Sequence, residues 1–233
     1  TTSEHAIMWW NMYSKEVWWN IQILPWKHKI TWVNLWDKIN VSEIITKENF
    51  YEKSNKDIYI VTNNDFKSSK YNTVYNKNSK VLWYNDLLSC FDQTSNAVNY
   101  NKKQKYIYTY WWDFDSISHD YWIDSIEVKN HFDDLDYQFQ KLQEKLEKTN
   151  TLVIVTADHW QINCTNHINL KQDFPEINNM LQIPLSWEWR TQYCFVKNEY
   201  IKDFYKQVSE KMEKICYIYS REEVLNMKIF WYW

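Results

Sequence analysis

The chain has 233 residues and carries 27 Lys and Arg against 30 Asp and Glu, a formal net charge of −3. This balance excludes the strongly basic surface of a protein that binds nucleic acid polymers. The sequence contains no run of about 18 apolar residues, so a membrane-spanning helix is excluded within it, and nothing in it indicates the compartment.

The first elements alternate between strand-like and helix-like patterns, which is typical of an α/β sheet with helical crossovers. Residues 58–62 read Ile-Tyr-Ile-Val-Thr and predict a buried strand. Residues 67–80 are rich in Ser, Asn and Lys and predict a surface loop. Residues 105–110 predict a second strand.

The middle of the chain predicts a strand–helix–strand unit. A helix over residues 126–148 is indicated by apolar side chains at helical spacing, with Asp124 and Glu127 at its start. Its predicted buried stripe consists of Phe132, Leu135, Phe139, Leu142 and Leu146. The run Thr-Leu-Val-Ile-Val-Thr at 151–156 predicts a buried strand, so residues 105–156 have the length of a right-handed βαβ crossover.

The carboxyl-terminal part predicts two further helices. One extends over about residues 199–214, and the other begins after Ser220, which forms a capping box with Glu223. One face of the longer helix is predicted to carry Ile201, Phe204, Val208, Met212 and Ile215.

An Asp and a His follow each of the two strands of the middle unit. Asp115 and His119 come after the strand at 105–110, and Asp158 and His159 come directly after the strand at 151–156. Ligands of open α/β sheets bind at this carboxyl edge. Carboxylate oxygen and imidazole nitrogen suit zinc, and also manganese or iron. The two pairs therefore predict a metal-dependent hydrolase; the competing interpretation is that they are ordinary polar residues of loops.

The composition is unusual in one respect: the chain contains 16 Trp and no Gly. Average usage predicts about 16 Gly in a chain of this length. Trp111 and Trp112 form a doublet after a strand, and Trp160 follows the second Asp-His pair. Gly is the residue that allows positive φ and close backbone approach at such places. We hypothesise that UGA encodes Gly in the source organism, an alternative genetic code, and that the printed Trp residues stand for Gly. The alternative is a genuinely Trp-rich protein.

With Trp replaced by Gly, residues 108–125 become Y-T-Y-G-G-D-F-D-S-I-S-H-D-Y-G-I-D-S and residues 151–162 become T-L-V-I-V-T-A-D-H-G-Q-I. These segments closely resemble the type I phosphodiesterase/nucleotide pyrophosphatase family of the alkaline phosphatase superfamily. The resemblance covers residues 105–195 well and the rest of 1–233 loosely. It implies a single three-layer α/β/α domain, which we expect to be truncated at both ends.

The resemblance also implies a site with two divalent metal ions, zinc first and manganese as the alternative. Asp115 and His119 would bind one ion, and Asp158 and His159 the other. Thr2 is the best match to the family's nucleophile, with Thr1 as the second choice. The family's two remaining ligands, an Asp and a His, are expected before residue 1 and after residue 233, so we expect this fragment to be incomplete as an enzyme.

The implied activity is hydrolysis of phosphodiester or pyrophosphate bonds in small, nucleotide-type substrates through a phospho-threonine intermediate. Three alternatives remain open at this point. The protein could be another superfamily member, a phosphomonoesterase, phosphonate hydrolase or mutase. It could be a non-catalytic homologue, or a Trp-rich module that binds glycans or single-stranded nucleic acid by stacking. The sequence indicates no oligomeric state.

Overall fold

The structure is a computed structural model that describes residues 11–14, 19–22, 27–28, 50–67, 69–157, 159, 161–164, 166–187 and 191–228. The chain forms two compact units. One, the sheet unit, is Val41–Thr165, and the other, the split unit, combines Thr1–Asn40 with Asn166–Trp233. The single domain expected over residues 1–233 stays a prediction.

A parallel sheet of three strands organises the sheet unit. Strand β4 (Asp57–Asn63) lies in the middle, with β5 (Lys80–Tyr84) on one side and β6 (Lys105–Thr109) on the other. The strands predicted at 58–62 and 105–110 are therefore confirmed. Six of the seven residues of β4 are buried, as expected for a strand that is covered on both faces.

The alternation of side chains along β4 separates the two covering layers. Ile58 and Ile60 face one side and pack with Tyr51 and with Tyr75. Val61 faces the other side and packs with Tyr84 and Cys90. The sheet is therefore flanked by helices, which gives a mixed α/β architecture consistent with the expected alkaline-phosphatase-like fold.

Five helices of the sheet unit are described, and Tyr51, Tyr75 and Cys90 belong to the first three of them. In chain order they are α1 (Phe50–Lys53), α2 (Lys70–Tyr75), α3 (Leu87–Asn99), α4 (Asp113–Asp120) and α5 (Ile126–Leu146). The prediction of a loop over residues 67–80 is wrong for α2. The Ser69 side chain accepts a hydrogen bond from the Asn72 backbone N–H and so caps this short helix, whose polar composition concealed it.

Helix α5 confirms the predicted helix over residues 126–148, with two differences. Its amino-terminal cap is Ser125, whose side chain accepts from the Val128 N–H, and not Asp124. The predicted stripe is buried only at Leu142 and Leu146, and Phe132 is 55% exposed. The stripe is shallower than predicted because α5 packs against the helices α3 and α4 and has no extensive contact with the sheet.

The predicted buried strand at 151–156 is wrong. Residues 151–157 form no strand, and Leu152, Ile154 and Val155 are 84%, 78% and 73% exposed. Among the described residues the parallel sheet ends at β6, and no strand pairs with its outer edge. An apolar run expresses a preference for burial, but it does not specify which strand it pairs with.

The split unit contains two small antiparallel sheets. Strands β1 (Asn11–Ser14), β2 (Trp19–Gln22) and β3 (Lys27–His28) form one, in the order β1-β2-β3. Strands β7 (Ser186–Trp187) and β8 (Gln192–Tyr193) form the other. The buried Asn20 side chain donates to the carbonyl of Leu185 at 3.3 Å, which ties β2 to the segment before β7.

The core of the split unit is helical. Helices α6 (Leu170–Asp173), α7 (Pro175–Asn179), α8 (Ile201–Lys211) and α9 (Arg221–Asn226) are described in it. The core cluster consists of Ile177, Leu181, Phe204, Val208 and Met212. The helix predicted over 199–214 is confirmed but shorter, with its outermost predicted core residues, Ile201 and Ile215, at least half exposed. The capping box of Ser220 and Glu223 is confirmed at the start of α9.

The tryptophans whose side chains are described do not form a core. Trp122 is 56% exposed, and Trp83, Trp111 and Trp112 are half-buried. None of the described tryptophans has a positive φ, since among the described residues only Asn78 and Lys228 have one. Among the tryptophans whose side chains are described, Trp122 alone is exposed, so the hypothesis that the tryptophans stand for Gly stays a prediction.

Candidate metal centre

The first predicted pair lies on α4, just after β6. Asp115 is in the first turn of this helix and His119 in its last turn, so the i,i+4 spacing places both on one face. A carboxylate near the start and an imidazole near the end also suit the direction of the helix dipole. The predicted link between a strand end and an Asp/His pair is therefore present here.

Asp115 also lies close to the histidine of the second pair. Its Oδ1 atom is 3.5 Å from Nε2 of His119 and 3.8 Å from Nε2 of His159. The three side chains are about one third to one half exposed, so a small ligand can reach them. Three of the four predicted metal ligands come together; the fourth, Asp158, and the predicted nucleophiles Thr2 and Thr1 lie outside the described residues.

Gln161 contacts the same oxygen, which the sequence did not predict. Its Nε2 donates to Asp115 Oδ1 at 2.6 Å, and its Oε1 is buried with no hydrogen-bond partner in the described part of the chain. The position two residues after the Asp-His pair was a signal that could have singled it out. However, no periodicity indicates an amide that reaches back over 46 residues.

Asn163 anchors the segment that follows the second pair. Its Oδ1 accepts from the Ile123 N–H at 2.8 Å, and its Nδ2 donates to Asp124 Oδ2 at 2.7 Å. Asp124, which the sequence suggested as the cap of α5, therefore binds a side chain 39 residues further on. These two bonds hold the segment against the turn between α4 and α5.

Aromatic contacts support the start of α4. The Tyr84 hydroxyl donates to the carbonyl of Tyr110 at 2.6 Å, and Trp111 Nε1 donates to His131 Nε2 at 3.0 Å. The Trp111 and His131 rings stack at 5.8 Å between centroids. Burial raises the pKa of Asp113, at the first position of α4, although the neighbouring His131 acts in the opposite direction.

One carboxylate and two imidazoles lie at this site, and these are side chains of the kinds that bind transition-metal ions. Metal–ligand distances of about 2.0–2.1 Å place neighbouring ligand atoms of a tetrahedral zinc site about 3.3 Å apart. The 3.5 Å pair is near this value and the 3.8 Å pair is longer. In the part of the chain that the structure describes, no group of three or more His, Cys, Asp and Glu side chains is arranged so that it could hold a metal ion. The site is thus two close pairs that share Asp115 Oδ1, and the same oxygen accepts a hydrogen bond from Gln161.

A parallel sheet is flanked by helices, an Asp and a His lie on the helix that follows β6, and a second His lies close to that Asp. In open α/β sheets of this kind, ligands bind at the carboxyl edge. The family model for type I phosphodiesterase / nucleotide pyrophosphatase matches residues 2–230. The chain therefore belongs to the type I phosphodiesterase/nucleotide pyrophosphatase family, and it is a hydrolase of that kind.

Two further comparisons found nothing: no curated protein and no solved structure matches the chain significantly. Membership of the family indicates a small phosphate-ester or nucleotide substrate, and enzymes of this family depend on metal ions. No helix that the structure describes combines the length and the apolar character needed to cross a bilayer.

Proposed function

We propose that the protein hydrolyses phosphodiester or pyrophosphate bonds of small nucleotide-type substrates, with two divalent metal ions and a phospho-threonine intermediate. The observation that carries this proposal is the approach of His119 and His159 to one oxygen of Asp115, at 3.5 and 3.8 Å. Two histidines and a carboxylate from segments about 40 residues apart meet at this point.

The proposed ligands divide between the two ions. Asp115 and His119 hold the first ion, and Asp158 and His159 hold the second. Bound divalent ions lower the pKa of a hydroxyl nucleophile and stabilise negative charge on the phosphoryl oxygens. Zinc is the preferred ion because the ligands combine imidazole nitrogen with carboxylate oxygen, and manganese is the alternative.

The chain's own residues supply the covalent chemistry. The Thr2 hydroxyl gives its proton to solvent and attacks phosphorus, the P–O bond to the leaving alcohol or phosphate breaks on the opposite side, and the leaving oxygen takes a proton from water. Water then attacks the phospho-threonine, which releases the phosphate product and restores the hydroxyl. Thr1 is the second candidate for this role. The half-exposed Asp115 and His119 leave the centre open to such a substrate.

Hydrolysis of a chromogenic diester, bis(p-nitrophenyl) phosphate, tests the proposal. The full-length protein that contains this chain is assayed as prepared, after chelation, and after addition of Zn²⁺ or Mn²⁺. We expect hydrolysis that disappears with the chelator and returns with metal. Hydrolysis that is insensitive to chelation, or none under any metal condition, would contradict the proposal. Faster cleavage of p-nitrophenyl phosphate, a monoester, would instead favour the phosphomonoesterase alternative.

The nucleophile has its own test. Acid quenching during turnover followed by mass spectrometry of peptides is expected to find a phosphoryl group on Thr2. Thr2→Ala abolishes this adduct, whereas Thr1→Ala leaves it in place. An adduct that disappears only in Thr1→Ala would transfer the role to Thr1, and no adduct in the active wild-type chain would remove the phospho-threonine step.

We also propose that the tryptophans occupy glycine positions. The exposure of Trp122 at a turn before α5 supports this proposal. The codons at the 16 Trp positions test it directly. TGA codons are expected, and TGG codons throughout would establish the tryptophans as genuine.

A further inference from the structure

The orientation of the Gln161 amide follows from the charge of its partner. A carboxylate only accepts hydrogen bonds, so the group 2.6 Å from Asp115 Oδ1 is the amide nitrogen of Gln161 and not its oxygen. The amide oxygen then faces away from Asp115. It is buried and has no hydrogen-bond partner among the residues that the structure describes, which is an unfavourable state for a polar atom.

The backbone that carries Gln161 is held independently of this amide. Asn163, two residues further on, makes one bond to the Ile123 backbone and one to the Asp124 side chain. Gln161 is therefore presented to α4 by an anchored segment. Its amide contacts the same Asp115 oxygen that His119 and His159 approach.

We propose that Gln161 is a positioning residue of the metal centre. Its N–H holds Asp115 Oδ1 in the direction of the two histidines. This inference rests on the proposed function, because it assigns Asp115 to a metal ion. Residues that orient metal ligands typically change metal affinity about 10–100-fold when they are replaced.

Gln161→Met removes the amide donor and retains nearly the same side-chain volume. Gln140 offers a matched control: its Nε2 donates to Asp136 Oδ2 at 2.8 Å on the exposed face of α5, which is the same amide–carboxylate pairing away from the centre. The full chain and both variants are titrated with Zn²⁺ against a chromogenic chelator. We expect about 10–100-fold weaker binding for Gln161→Met and less than about a twofold change for Gln140→Met.

A spectroscopic measurement separates positioning from a structural role. Co²⁺ bound to the chain absorbs visible light according to its ligand geometry. Gln161→Met is expected to change this absorption band while the far-UV circular dichroism and the urea midpoint remain those of the wild type. Gln161→Ala is measured in parallel, and the same change of band is expected. If both variants lose cooperative unfolding, Gln161 is a structural residue and the inference is wrong.

The two proposals fail in different ways. If the wild-type chain binds neither Zn²⁺ nor Co²⁺, the proposed function is overturned, and the inference with it. If the wild-type chain binds both ions and Gln161→Met binds them equally well with an unchanged spectrum, only the role of Gln161 is overturned.

Discussion

Two segments of the sheet unit carry the candidate centre, and they differ in how they are held. The first extends from β6 into α4, where backbone hydrogen bonds, a neighbouring strand and a helix place Asp115 and His119. The second segment, residues 151–157 with His159, has no regular structure, and its apolar side chains are largely exposed. The first segment is placed by secondary structure, and the end of the second by side-chain contacts.

The two segments therefore contribute to the centre in different ways. Asp115 is the contact common to His119, His159 and Gln161, so it joins the helix to the second segment. The bonds of Asn163 fix the following residues to the turn before α5. The helix thus provides a rigid frame, and the second segment docks on it through a few polar side chains.

The largest effect is expected at Asp115. Asp115→Asn removes the charge that all three neighbours share, and we expect kcat/KM for bis(p-nitrophenyl) phosphate to fall more than the about 100-fold that loss of a supporting residue costs. His159→Gln removes only one of these neighbours, and we expect it to lower kcat/KM less than Asp115→Asn does. Asp136→Asn on the exposed face of α5 is the matched control, with less than about a twofold change. Equal losses in Asp115→Asn and Asp136→Asn would contradict the central position of Asp115.

The next prediction compares a buried apolar residue of the parallel sheet with an exposed apolar residue of the second segment. Ile60 in β4 is 3% exposed, and Ile154 in the second segment is 78% exposed. We expect Ile60→Ala to lower the free energy of unfolding by about 2–5 kcal/mol. Ile154→Ala should change it by no more than about 0.5 kcal/mol. Urea denaturation followed by circular dichroism measures both; a large loss in Ile154→Ala would show that the second segment is packed in solution.

The prediction of these elements from sequence succeeded where the signal was local. The i,i+4 spacing of Asp115 and His119 and the capping box of Ser220 and Glu223 concern residues within one helical turn. The apolar run at 151–156 has the composition of a buried strand, but its pairing depends on distant residues. For Gln161 the sequence offered only its position two residues after the Asp-His pair, because its contact with Asp115 arises only in the folded chain.

The smallest effect concerns the cap of α3, which covers the sheet beside the first segment. The Asp86 side chain accepts from the Ser89 backbone N–H, and the hydrogen bonds from Ser89 hold the pKa of Asp86 below its ordinary value of 3.8. A lowered folded-state pKa stabilises the fold above the unfolded-state pKa, and this stabilisation is lost as the pH falls through the folded-state pKa.

Asp86→Asn keeps the cap without the charge, so this part of the acid sensitivity is expected to disappear in the variant. Urea midpoints measured from pH 6 down to about pH 2 provide the comparison. The wild-type midpoint should decrease more steeply below about pH 4 than that of Asp86→Asn. Parallel curves for the two proteins would contradict a contribution from the Asp86 charge.

Because Cys90 of α3 is buried beneath the sheet, the reactivity of its thiol reports the detachment of α3 from the sheet. Cys90 is fully buried against Val61 and Tyr84, and burial raises the pKa of its thiol to about 12. The thiolate is the form that reacts with alkylating reagents, so at neutral pH the folded state protects this sulfur both by enclosure and by protonation. Each alkylation of Cys90 therefore records one excursion in which α3 leaves the sheet. The rate of Cys90 alkylation, compared with that of the exposed Cys216, measures how often α3 separates from the sheet.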